Sequence, residues 1–152
     1  MEKLSFEYIR GLVEGEGCFS FSTSPSYPPE KLLDGNLKRV KIPSLTIGMH
    51  KRDEELLRKV RNTLGLQNTV YRYTRLTKDG KTKYSAILVI REYLSIKDIV
   101  IPLFYRKLHG YKGKQFIEWL EKFNNSDVRD DFQYVYRLYK SGYYEKLLDK
   151  FN

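Results

Sequence analysis

The chain has 152 residues, enough for one domain with a core of its own. Hydrophobic residues make up 41% of it and 13 are tyrosines, which excludes a disordered chain. Lys and Arg outnumber Asp and Glu by 28 to 19, and the net charge of +9 points to a polyanionic partner, nucleic acid first. Cys18 is the only cysteine, which excludes an internal disulfide and a cysteine-built zinc site and favours a reducing compartment. No uncharged apolar run approaches the ~18 residues of a membrane span. No targeting peptide is visible in Met1–Ser5.

The first predicted element is a helix from Phe6. Ser5 is its expected N-cap, and Glu7 sits in the first turn, where a carboxylate suits the dipole. Ile9, Leu12 and Val13 form an apolar stripe that Tyr8 continues. Gly11 and Gly15 share one helix face. A glycine inside a helix costs roughly 1 kcal/mol relative to alanine, so two on one face imply close approach of another backbone. Glu14 and Glu16 fall at the C-terminal end, where the helix dipole is negative. Carboxylates placed there need a partner, and a divalent cation is the strongest candidate.

From Cys18 to Ser24 the pattern alternates, as in a strand with Phe19 and Phe21 on one side. Ser20, Ser22 and Ser24 line the other side, and small hydroxyls suit a surface that presses against hydrogen-bonding groups. Residues 25–35 are a loop broken by three prolines and Gly35. A second strand is expected over 36–50, with Leu45, Ile47 and Met49 inward and Ser44, Thr46 and Gly48 outward. Upstream of Pro43 the phase reverses, with Val40 and Ile42 apolar and Arg39 and Lys41 polar. The reversal predicts a bulge at the proline, with Lys38, Arg39 and Lys41 extending the polar face.

A helix over 53–65 follows, with Asp53 as N-cap, Gly65 as stop signal and an apolar face of Leu56, Leu57, Val60 and Leu64. Strands are predicted over 69–76 and 81–91. The turn between them is Lys78-Asp79-Gly80, in which Asp79 and Gly80 supply positive φ. Tyr71, Tyr73 and Arg75 make one face of the third strand, Val70, Arg72 and Thr74 the other; both are mixed, so alternation leaves its inward side open. The run Ala86–Ile90 is too continuously apolar to phase. Residues 92–104 read as a short helical stretch broken at Pro102, and 105–115 as a loop dense in positive charge. Phe116, Trp119, Leu120 and Phe123 recur at core-helix spacing, and two further helices are expected over 128–139 and 144–151.

This order is that of an α+β domain with an αββαββα core, a four-stranded antiparallel sheet, helices on one face and extra C-terminal helices. The open face is a candidate DNA-reading surface. Its expected members are Ser20, Ser22, Ser24, Arg39, Lys41, Ser44, Thr46, Tyr71, Tyr73, Arg75, Lys83 and Ser85, with Lys114 from the basic loop. A β-ribbon fits the major groove, where hydroxyl and basic groups pair with base edges. Lysines add salt-dependent phosphate contacts. No glycine-rich nucleotide loop is present, and His50 and His109 form no histidine-based nuclease pattern.

The stretch Ile9-Arg-Gly-Leu-Val-Glu-Gly-Glu-Gly17 resembles the motif of the LAGLIDADG homing endonucleases. Gly11, Leu12, Glu14, Glu16 and Gly17 stand at its key places, with glutamate for aspartate at both acidic positions. Leu108–Phe116 looks like the basic loop before that family's last core helix, and the resemblance runs to about Phe123. It implies a sequence-specific endonuclease that cuts both strands of a long, pseudo-palindromic duplex across the minor groove, leaving 3′ overhangs. A single motif implies a homodimer, with Gly11, Gly15, Tyr8 and Leu12 at the seam.

The resemblance further implies Glu16 as catalytic ligand of Mg²⁺, with the Gly15 carbonyl as a second ligand. Mn²⁺ would substitute, and Ca²⁺ would support binding without cleavage. Lys112 would polarise the active-site water or the phosphate. Lys51 falls where the family has glutamine or another water-organising residue, and Glu14 takes a structural or supporting role. Two alternatives use the same scaffold. One is an RNA maturase that assists splicing of an intron RNA; the other is a DNA-binding protein that has lost cleavage. No membrane partner is implied.

Overall fold

The computed structural model describes residues 2–152. Helix α1 (Phe6–Glu16) leads without a loop into strand β1 (Gly17–Pro25). Strand β2 (Arg39–His50), a 3₁₀ turn (Lys51–Asp53) and helix α2 (Glu54–Thr63) follow. Strands β3 (Val70–Leu76) and β4 (Thr82–Ile90) complete a four-stranded antiparallel sheet of order β1-β2-β4-β3. The rest is helical: α3 (Tyr93–Ser95), a π turn (Ile96–Val100), α4 (Ile101–Phe104), α5 (Tyr111–Glu121) and α6 (Asp131–Lys140). Among the described residues no helix is long and apolar enough to cross a membrane.

The helices pack on one face of the sheet. Ile9 and Val13 of α1 are fully buried, as are Leu57 and Val60 of α2 and Leu45, Ile47, Leu88 and Ile90 of the central strands. Phe19 meets Phe104, Phe116 and Trp119 at ring-centre distances of 5.5, 5.0 and 5.1 Å, and Phe21 meets Phe123 at 6.2 Å. These aromatic contacts, edge-on except for the tilted Phe19–Trp119 pair, fix which side of β1 is inward.

Several local expectations are corrected. No bulge occurs at Pro43: the β1–β2 register runs unbroken from Gly17 opposite Ile47 to Pro25 opposite Arg39, with Pro43 opposite Phe21. Strand β2 pairs with β4 only from Leu45 onward, so at Pro43 it has a free edge where a missing N–H is tolerated. Asp53 makes no side-chain cap; instead Nδ1 of His50 accepts the Arg52 N–H at 3.1 Å and starts the 3₁₀ turn. In the β3–β4 turn only Gly80 takes a positive φ, 82°. The chain is not broken at Pro102, because the π turn just before it reroutes the hydrogen bonds that its ring would block. The basic segment is a loop only to Gly110, since α5 begins at Tyr111. The last expected helix is a 3₁₀ segment, Tyr143–Leu147.

An ion pair with a buried carboxylate and an exposed arginine joins the helix layer to the sheet. Glu54, the first residue of α2, accepts from Arg58 at 2.8 Å and from Arg72 of β3 through two guanidinium nitrogens, the longer contact being 2.8 Å. The hydrogen bonds from Arg72, and then those from Arg58, outweigh burial and hold the Glu54 carboxyl down at about 2. Its unfolded value is ordinary, about 4.3. The pair therefore stabilises the fold fully above that value and progressively less as pH falls toward 2. Arg72→Met is expected to melt below wild type at about pH 6, with the gap closing as pH approaches about 2. Thermal melts across that range check it; a pH-independent gap would mean that Arg72 acts through packing alone.

Candidate active site

The site is built at the junction of α1 and β1. Gly17 is buried, and its N–H bonds back to the Val13 carbonyl while its φ and ψ of −91° and 160° already belong to the strand. A Cβ at Gly17 would lie 2.7 Å from Cγ1 of Val13 and 2.9 Å from its carbonyl oxygen, so no larger residue fits. This abrupt change from helix to strand leaves Gly15 and Glu16 exposed at the corner.

Two elements converge on that corner. Gly17 pairs with Ile47, and β2 runs on three residues to His50, so exposed Lys51 lies beyond the same end of the sheet as Glu16. From the helix layer, Lys112 in the first turn of α5 donates from Nζ to the Gly17 carbonyl at 2.6 Å. Glu14 reaches across as well: its Oε1 accepts the N–H groups of His109 at 2.9 Å and Gly110 at 2.5 Å. Two turns further along α5, Nε1 of Trp119 donates to the Ser20 carbonyl at 2.7 Å. Glu16, Gly15 and Lys112 are thus gathered within one junction, and Lys51 stands at its rim.

The outward side of α1 is bare. A Cβ at Gly11 or at Gly15 would meet nothing within 4 Å. Tyr8 is half exposed, and Leu12 is partly covered.

Register settles the faces that the sequence left open. Ser20 stands opposite Ser44, Cys18 opposite Thr46, Thr46 opposite Val89 and His50 opposite Ser85. Tyr71 stands opposite Ile87, Tyr73 opposite Ser85 and Arg75 opposite Lys83. Directly paired residues share a face. Ser20, Ser22, Ser24, Ser44, Thr46, Tyr71, Tyr73, Arg75, Lys83 and Ser85 therefore lie on the face away from the helices. Ser44 and Ser85 form its floor and are buried, with Ser44 Oγ 2.9 Å from Ser22 Oγ, while Tyr71 and Tyr73 stand out from it. Lys114 lies on α5, on the helix side, with its ammonium 5.8 Å from the Tyr111 ring centre.

Arg39 and Lys41 are not on the serine face. The unbroken register puts them opposite Pro25 and Thr23, in alternation with Ser24 and Ser22. Lys41 pairs instead with Asp127 at 3.2 Å, and its backbone bonds to Asp127 and Arg129. Arg39 donates to the Thr23 hydroxyl at 3.3 Å. Sequence reasoning also missed the polar concavity of about 870 Å³ that Ser22, Thr46 and Tyr71 share with Gln67, Asn68 and Arg91. The last three flank the strands, where periodicity carries no signal.

Among the described residues no cluster of three or more His, Cys, Asp or Glu side chains forms a metal cage. One chain offers the Glu16 carboxylate and the adjacent Gly15 carbonyl. These are hard oxygen donors, and so few of them suit Mg²⁺, which keeps several waters and takes phosphate oxygens to complete its octahedron.

A model of the LAGLIDADG endonuclease family matches residues 9–123, from the middle of α1 to the end of the α5 region. The chain belongs to this family and is by class a DNA endonuclease, a hydrolase of phosphodiester bonds. Solved homing endonucleases share its fold. The crystal structure of I-TnaI aligns with 99% of this chain and 100% of its own, at 19% identity and a TM-score of 0.56. I-CpaMI bound to uncleaved DNA aligns with 96% of this chain and 43% of its own, at 20% identity and a TM-score of 0.61. I-SmaMI bound to cleaved DNA aligns with 93% and 45%, at 20% identity and a TM-score of 0.56. The chain thus spans the whole length of I-TnaI and less than half of the other two.

Proposed function

We propose that the protein is a homodimeric, Mg²⁺-dependent, sequence-specific homing endonuclease that cuts both strands of a long pseudo-palindromic DNA duplex. The observation that carries this reading is the α1 corner. Exposed Glu16 and Gly15, with Lys112 bonded to the next carbonyl, stand at the end of a helix whose glycine face is bare. Packing two such faces about a dyad would explain the cost of two helix glycines. It would also bring two Glu16 carboxylates together, an arrangement that like-charge repulsion disfavours without cations.

Each Glu16 carboxylate and Gly15 carbonyl would hold one Mg²⁺ beside a scissile phosphate. Bound there, the ion supplies Lewis-acid stabilisation of the phosphate and of the departing 3′ oxygen. Lys112 donates toward the charge that develops on the phosphate or its attacking water. Lys51, from the rim, orients that water. The two active corners face the two strands across the minor groove, and cleavage leaves 3′ overhangs. The serine, threonine and tyrosine face, with Arg75 and Lys83, enters the major groove to read bases. Lys114 and the surplus of basic charge hold phosphates.

Selection of cleaved sites from a randomised duplex library in Mg²⁺ tests all of this at once. The expected product is a consensus with dyad symmetry and 3′ overhangs. Binding in Ca²⁺ with no product in Mg²⁺ would overturn the nuclease reading, and an asymmetric consensus would overturn the homodimer.

A further inference from the structure

The carboxylate that the metal site leaves over is Glu14. We infer that Glu14 is a positioning residue for cleavage: it caps α5 from outside that helix and so sets where Lys112 stands. This rests on the role of Lys112 given under the proposed function.

Helix α5 has no cap of its own. Gly110, at its N-cap, has no side chain, and no acidic residue lies in its first turn. That turn instead carries Lys112 and Lys114, cations at the positive end of a helix dipole. Glu14 Oε1 meets part of this deficit from α1 by accepting the N–H of Gly110, the N-cap residue, together with that of His109 just before it. The contact is built for it: a Cβ at Gly110 would already stand 3.2 Å from the Glu14 oxygen. Lys112 follows two residues after Gly110, and its Nζ bonds the Gly17 carbonyl at 2.6 Å, three residues after Glu14. The two helix ends are therefore tied by a short closed circuit, Glu14 to the His109 and Gly110 amides that lead into α5 and Lys112 back to Gly17. Breaking one side loosens the first turn of α5, which the Trp119 and Phe116 anchors further along do not hold, and Lys112 moves with it.

Glu14→Ala removes the acceptor, while Glu14→Gln keeps an oxygen for both amides. A displacement near 1 Å at a catalytic group can cost about 10²-fold in rate. Glu14→Ala is therefore expected to lower single-turnover cleavage by about 10²-fold. It should leave target affinity in Ca²⁺ within about threefold and speed hydrogen exchange at the His109 and Gly110 amides, whereas Glu14→Gln should keep most of the wild-type rate. In a Lys112→Met background the same change should add less than about threefold, because its route is already gone.

Equal losses for Gln and Ala would overturn the inference in favour of a direct role for the carboxylate. So would a full loss in the Lys112→Met background, or unchanged exchange at the two amides. Should Glu14→Ala fail to fold, Glu14→Gln read in both backgrounds decides the matter, since a rate near wild type supports the cap and a large loss excludes it. If Lys112→Met itself cuts like wild type, the role given to Lys112 fails, and the exchange rates still report whether Glu14 caps α5.

Discussion

Glu16→Gln is expected to bind the target duplex in Ca²⁺ as the wild type does and to cut it in Mg²⁺ about 10³-fold more slowly. The fold should not notice the change. Glu16 is exposed, and among the described residues no hydrogen bond or ion pair holds it, so its removal costs no native contact. Gln keeps the shape and gives up the charge. In the proposed function base reading belongs to the sheet, which lies beyond the corner, so affinity is expected to be insensitive to the carboxylate. What is lost is stabilisation that grows only as charge develops on the phosphate, and such a loss appears in the rate of the chemical step. Single-turnover cleavage beside a binding titration and a thermal melt separates these terms. A Gln variant that cuts at the wild-type rate would remove Glu16 from the catalytic set. One that melts early would assign it to the fold instead.

The parts legible in sequence were those decided by neighbouring residues. Ser5 caps α1 through its hydroxyl, accepting the Tyr8 N–H at 3.0 Å, as its type and place predict. Phe19 and Phe21 face the core because strand alternation leaves no other arrangement. The parts that escaped depend on partners far along the chain. Tyr71 and Tyr73 differ little in kind from Arg72 and Thr74, and only pairing with β4 places the tyrosines outward. Arg72 faces inward because Glu54 is there to receive it. Lys41 left the serine face for Asp127, 86 positions away, on a segment that adds a bridge to the edge of β2. Pro102 carries the ordinary signal of a helix break. The π turn upstream accommodates it, and such a turn has no residue signature. The candidate site shows the same division. The motif gives Glu16 its place, whereas Lys112 reaches the corner through a bond to the Gly17 carbonyl, 95 positions away.

Three glycines in α1 and its corner should respond in opposite ways. Gly17→Ala is expected to destabilise the chain by about 1–3 kcal/mol through overpacking, because its Cβ would press on the Val13 side chain and backbone. Gly11→Leu meets no such wall, since space beside Gly11 is open. Within one chain it should stabilise α1 by up to about 1 kcal/mol, the helix cost of glycine removed. Its damage falls on association. Helix axes pack at about 8–10 Å, with the smallest side chains at the closest approach, and a leucine on each copy would force the seam apart. The variant should therefore sediment as a single 18.1 kDa chain, fold without dependence on protein concentration and lose double-strand cutting. Wild type should sediment at twice that mass, with a melting temperature that rises with concentration. Gly15→Leu should behave as Gly11→Leu does. The pair of results is needed because loss of cutting alone could follow from unfolding. Loss of cutting in a chain that melts no lower at dilution isolates the seam. If Gly11→Leu stays dimeric and active, the bare face of α1 is not where two copies meet, and the two Glu16 carboxylates have no reason to lie at a common dyad.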